Sequence, residues 1–152
     1  MKPFYVLLTA FIISILSCKF ATGYWNYTLS GNIAMSVMLV FTAIGHFVFT
    51  KGMTMMLPEF VPLKSFMIYF TGIVEIVAAL GLLLPSLSGL TSELLILFFS
   101  LILPCNIYAA VKKVDYQKAT LNGPGLTYLW LRVPLQFVFI AWVYVFNCVR
   151  LI

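Results

Sequence analysis

Long apolar runs separated by short polar breaks dominate the chain. Five stand out: roughly Phe4–Phe20, Ile33–Thr50, Tyr69–Pro85, Glu93–Val111 and Leu126–Val149. Each comes close to the ~20 residues with which a helix crosses a hydrocarbon core. The third run is the most informative. At helical spacing Thr71, Gly72, Glu75, Ala78, Ala79 and Leu82 share one face, while Ile, Val and Leu fill the other. A lone charge at mid-membrane costs on the order of 2.5–3.5 kcal/mol on insertion scales. Glu75 must therefore look inward, toward a partner or a wet cavity, and the small residues beside it let a neighbouring helix come close.

The breaks carry their own signals. Ala21–Asn32, with Tyr24, Trp25 and Tyr27, reads as a loop lying at headgroup level, and Asn26-Tyr27-Thr28 fits a glycosylation sequon. Lys51–Ser65 contains Met53, Met55, Met56, Pro58 and Pro62, too apolar for a free loop and too broken for a helix. It predicts an interfacial or partly re-entrant segment in which the methionines pack softly. Pro85 ends the third helix, and Glu93 suits the positive end of the fourth. Pro104 frees the Ser100 carbonyl and predicts a kink. Asn122-Gly123-Pro124-Gly125 is a turn. Pro134 marks either the first turn of the last helix or a kink within it. The first run is either a retained transmembrane helix or a signal peptide with a lipoprotein-type site at Cys18. Leu16 and Lys19 favour the retained helix.

Composition settles the class. The chain has 152 residues, 63% hydrophobic and 9% charged, with a mean hydropathy of +1.09. A soluble domain carries about a quarter charged residues. The expectation is an all-α integral membrane protein. The net charge of +5 would suggest nucleic acid in a soluble protein, but no basic stripe or RNA motif is present. With five helices, Lys2, Lys51, Lys64, Lys112, Lys113, Lys118 and Arg132 share one side, and Lys19 and Arg150 take the other. The positive-inside rule then puts the N-terminus in the cytoplasm and the C-terminus outside, in a bacterial cytoplasmic membrane. One histidine and no C-x-x-C leave no metal site to expect. Cys18 and Cys148 fall at the same outer edge, where a disulfide between them is sterically open.

Four helices place their scarce polar groups in the inner half of the membrane: His46, Asn106 and Tyr108, Arg132 and Gln136, with Glu75 deeper. Buried polar groups in lipid need partners, so these six residues are expected to form one hydrogen-bonded cluster. Its bland reading is a Glu75–Arg132 ion pair that fixes helix register. Its sharp reading is proton handling or headgroup binding. No residue is singled out as catalytic.

A family resemblance emerges from the motifs taken together. Gly45-His46-Phe47, Met56-Leu57-Pro58, Thr71-Gly72-Ile73-Val74-Glu75-Ile76, Gly81-Leu82-Leu83-Leu84-Pro85, Pro104-Cys105-Asn106-Ile107-Tyr108 and Leu129-Trp130-Leu131-Arg132-Val133-Pro134-Leu135-Gln136 resemble the DoxX-like membrane family. The resemblance implies a compact four-helix transmembrane core over residues 32–152, to which residues 1–31 add one helix and an interfacial loop. It also implies a membrane redox setting. Three readings of function follow. The favoured one is a non-catalytic accessory, assembly or lipid/quinone-binding component, partnered by the bilayer and by membrane redox proteins, with a homo-oligomer allowed. The second is a quinone-interacting oxidoreductase subunit using a His46/Glu75/Arg132 pocket. The third is a path for protons or a small solute. No haem, flavin or cysteine-cluster motif carries electrons, so no cofactor is firmly implied; quinone or lipid is the ligand to look for.

Overall fold

A computed structural model describes residues 2–148, without the side chain of Cys148. Six helices follow one another: α1 (Lys2–Thr22), α2 (Tyr27–Val48), α3 (Thr50–Thr54), α4 (Lys64–Leu83), α5 (Ser88–Val111) and α6 (Leu126–Val143). A π-helical turn, Tyr144–Cys148, extends α6. The five long helices are each long and apolar enough to cross a membrane. Their outer surface is what lipid would wet: Ile13, Phe20, Ile44, Leu80, Leu101 and Phe137 are all largely exposed. A surface of that kind is incompatible with water.

Several boundaries move relative to the sequence pattern, each for a local reason. α2 begins at Tyr27, so the aromatic loop shrinks to a few residues; Asn26 caps the helix by accepting from the Leu29 N–H at 3.0 Å. The sequon asparagine is thus committed to a helix end. The Lys51–Ser65 stretch is less broken than its prolines suggest, because Thr50–Thr54 forms the short α3 directly after α2. α5 starts at Ser88 and has no acid in its first turn, so Glu93 lies inside the helix and not at its positive end. Pro134 lies within α6, which resolves the alternative left open by the sequence.

All five long helices feed one core. Leu7 of α1 packs with Ala34, Met35, Met38 and Leu39 of α2, Ala79 and Leu82 of α4, Leu95 and Phe99 of α5, and Phe139 and Val143 of α6. The first helix thus contributes Leu7 to that core. Its seat is aromatic: Phe11 packs edge-on against Trp142 with ring centroids 5.0 Å apart and tilts against Phe146. The end of α6 is tied to the start of α2 by Trp142 Nε1 donating to the Gly31 carbonyl (3.1 Å) and Asn147 Nδ2 donating to Asn32 Oδ1 (2.8 Å). At the opposite end, α3 docks on the α5–α6 connection. Phe49 meets Tyr116 edge-on, and Gly52 lies against the Tyr116 backbone carbonyl so closely that a Cβ could not fit.

Candidate functional site

The polar seam lies between α2 and α4. Thr42 and His46 are one turn apart on α2; Thr71 and Glu75 are one turn apart on α4. Gly72 brings the two backbones together there, since a Cβ on it would come within 2.9 Å of His46 Cβ. Glu75 is buried, 5% exposed, and both carboxyl oxygens are engaged. Thr42 Oγ1 donates to Oε2 at 2.9 Å, and His46 Nε2 lies 3.4 Å from Oε1. The other imidazole nitrogen, Nδ1, is 3.1 Å from the Ile68 carbonyl oxygen and 3.1 Å from Thr71 Oγ1. Thr50 Oγ1 donates to the His46 carbonyl (2.7 Å). Further along the seam Ser36 Oγ donates to the Ala79 carbonyl at 2.8 Å.

Two proton arrangements satisfy this geometry. In one, Nδ1–H donates to the Ile68 carbonyl while Nε2 and Glu75 share a single proton. In the other, Thr71 donates to Nδ1 and Nε2–H donates to a Glu75 carboxylate. The first leaves the pair neutral overall and the second leaves it anionic. The seam is thus a latch between two helices, with His46 and Glu75 as its partners.

The six residues expected to converge divide into separate groups. His46 and Glu75 meet directly. Arg132 does not join them: among the described residues the one ion-pair contact is His46–Glu75. The expected Glu75–Arg132 pair is replaced because the glycine-permitted approach of α4 to α2 brings the carboxylate to the imidazole. Gln136 instead bridges α6 to α5, its Nε2 donating to the Phe99 carbonyl at 2.7 Å. That contact lies one residue short of the Ser100 carbonyl freed by Pro104. Asn106 is 2% exposed and its Nδ2 has no hydrogen-bond partner among the described residues. Tyr108 is half-buried beneath Lys112 Nζ, 5.9 Å from its ring centre. Thr42 was absent from the sequence reading, although its one-turn spacing from His46 was the signal for it; Thr71 had been placed on the right face without a role.

Arg132 belongs to a second site. It lines a cleft of about 290 Å³ with Lys2, Phe4, Tyr116, Gln117 and Tyr128 among its neighbours. Its guanidinium carbon lies 5.8 Å from the Tyr128 ring centre, and its Nε is buried with no partner among the described residues. Among the described residues no group of three His, Cys, Asp or Glu side chains is placed to hold a metal. Cys18 carries a free thiol; the expected bridge to Cys148 falls on a side chain outside the described residues.

The sequence profile of a family described as a domain of unknown function, DUF8561, matches residues 35–147. It takes in both partners of the latch and leaves α1 outside. No curated protein matches the chain. No solved structure matches it.

Proposed function

The chain belongs to the DUF8561 family, and we propose that it is a non-catalytic accessory or assembly component of a membrane redox system in the bacterial cytoplasmic membrane. The observation that supports this reading is the closure of the α2–α4 seam. Glu75 Oε1 and Oε2 and both His46 ring nitrogens already face protein partners. A quinone carbonyl or a water file entering there would first have to displace Thr42 or His46 from Glu75. The pair therefore serves to set helix register, the best-attested use of buried ionic groups. The redox setting rests on the resemblance of the His46, Glu75, Asn106 and Arg132 motifs to the DoxX-like family.

Orientation follows from charge. Lys51 lies in α3, Lys64 opens α4, and Lys112, Lys113 and Lys118 lie between α5 and α6. We assign that end to the cytoplasm by the positive-inside rule.

Native mass spectrometry of gently solubilised protein tests the proposal. A retained membrane-protein partner with no stoichiometric quinone is the expected result. Stoichiometric quinone that disappears in Glu75→Leu would overturn it and move the chain to the quinone-interacting oxidoreductase subunits.

A further inference from the structure

The cleft beside Arg132 is left unused by the accessory role. It opens where the starts of α1 and α6 meet the α5–α6 connection, at the basic end of the bundle. Among the described residues two cations, Lys2 and Arg132, line it, and no carboxylate does. Arg132 is positioned rather than free: Tyr128 lies beneath its guanidinium, and its buried Nε–H has no acceptor among the described residues. A part-buried guanidinium with no carboxylate partner among the described residues is suited to an anion. Asp115, adjacent to the cleft residue Tyr116, is otherwise occupied. Its Oδ1 accepts from the backbone N–H groups of Gln117 and Lys118 at 3.1 and 3.2 Å. That turn, with the Asp115–Thr120 bridge and the seat of Tyr116 on α3, holds the loop that brings Tyr116 and Gln117 to the cleft.

From these features we propose that the cleft binds a phosphate group, either the phosphodiester of an anionic phospholipid headgroup or a free phosphate ion. The planar guanidinium of Arg132 matches two phosphate oxygens, and the Lys2 ammonium supplies a second, compact charge. Tyr116, Gln117 and Tyr128, which also line the cleft, carry further polar groups, with Gln117 Nε2 already donating to the Tyr116 hydroxyl at 3.5 Å. Phe4 and Leu135 give the cleft an apolar wall, along which a lipid's glycerol and acyl portion would run. The assignment is independent of the accessory role, since it uses none of the latch residues and stands whether or not the chain has a redox partner.

The test uses the full-length chain in detergent, offered phosphatidylglycerol, phosphatidylcholine or inorganic phosphate. Native mass spectrometry reads lipid retention, and thermal unfolding reads the phosphate ion. Phosphatidylglycerol retained over phosphatidylcholine, and weakened about tenfold by Arg132→Gln and by Lys2→Gln, establishes a lipid site. A rise in unfolding temperature with inorganic phosphate, lost in the same two variants, establishes a site for the free ion. Lys2 is exposed, so Lys2→Gln decides the matter even where Arg132→Gln fails to fold. Equal retention of the two lipids with no response to phosphate overturns the proposal, as does wild-type binding in Lys2→Gln.

Discussion

Gly72 of α4 lies directly against His46 of α2, with room for a hydrogen but not for a methyl: an added Cβ would sit 2.9 Å from the His46 Cβ. The contact is between groups close to the two backbones, so neither side can swing away. Gly72→Ala is expected to push α4 off α2 and stretch the His46–Glu75 contact, lowering stability by about 1–3 kcal/mol, as overpacking does. The unfolding midpoint in detergent checks this, and an unchanged midpoint would show that the seam has slack.

Glu75 should tolerate loss of charge better than loss of polarity. In Glu75→Gln the amide oxygen still accepts from Thr42 and the amide N–H can donate to His46 Nε2, so stability should stay within about 1 kcal/mol of wild type. Glu75→Leu leaves His46 Nε2 without its partner in the interior, although Thr42 keeps the Leu39 carbonyl, and should cost about 3–5 kcal/mol, the range for breaking a buried pair. In the double variant with His46→Leu the losses should fall short of additive. Additive losses would mean that the 3.4 Å contact carries no coupling.

Gly52 tests the docking of α3 on the α5–α6 connection. Its position against the Tyr116 carbonyl leaves no space for a side chain. Gly52→Ala should release that connection and speed its cleavage by protease several-fold while the transmembrane helices stay folded, as expected of a locally weakened unit. Because Tyr116 also lines the Arg132 cleft, the same variant should loosen whatever the cleft binds.

The Gln136–Phe99 bond predicts a smaller effect. Interhelical hydrogen bonds in membranes average about 0.6 kcal/mol and reach about 1.7. Gln136→Leu should fall in that range, since it removes a 2.7 Å bond but leaves the Phe139 and Val143 packing of α6 in place. A loss of several kcal/mol would mean that Gln136 supports more than its one recorded partner.

Topology can be read chemically. Lys19 lies at the end of α1, its Nζ donating to the Gly23 carbonyl at 3.0 Å and lying over the Trp25 ring, whereas Lys118 lies in the opposite connection. In a cysteine-free background on intact cells, an impermeant maleimide should label Lys19→Cys and spare Lys118→Cys. The reverse pattern would invert the assigned orientation.

The latch shows where reading from residues alone runs out. Glu75 was legible as an inward-facing acid, because lipid tolerates no orphaned charge and its helical neighbours are small. Its partner was not. Arg132 was the partner expected on charge, but the choice turned on how closely α4 approaches α2 at His46, which Gly72 permits. Thr42 carried only its one-turn spacing from His46 as a signal: a threonine in an apolar helix ordinarily bonds its own preceding turn, and Thr42 also lies within reach of the Leu39 carbonyl at 2.9 Å.

The apolar class, the five helices long and apolar enough to span a membrane and the basic end were all legible in the residues, since they follow from hydropathy summed over some twenty positions and from where lysines can reach water. Asn122–Gly125 was likewise marked as a turn and Glu75 as buried. Packing alone settled which polar groups meet. It placed His46 on Glu75, sent Arg132 to a separate cleft and drew Leu7 of α1 into the common core. Those outcomes depend on helix rotation and separation, which a one-dimensional pattern of apolar positions leaves free in a chain whose helices are apolar almost all round.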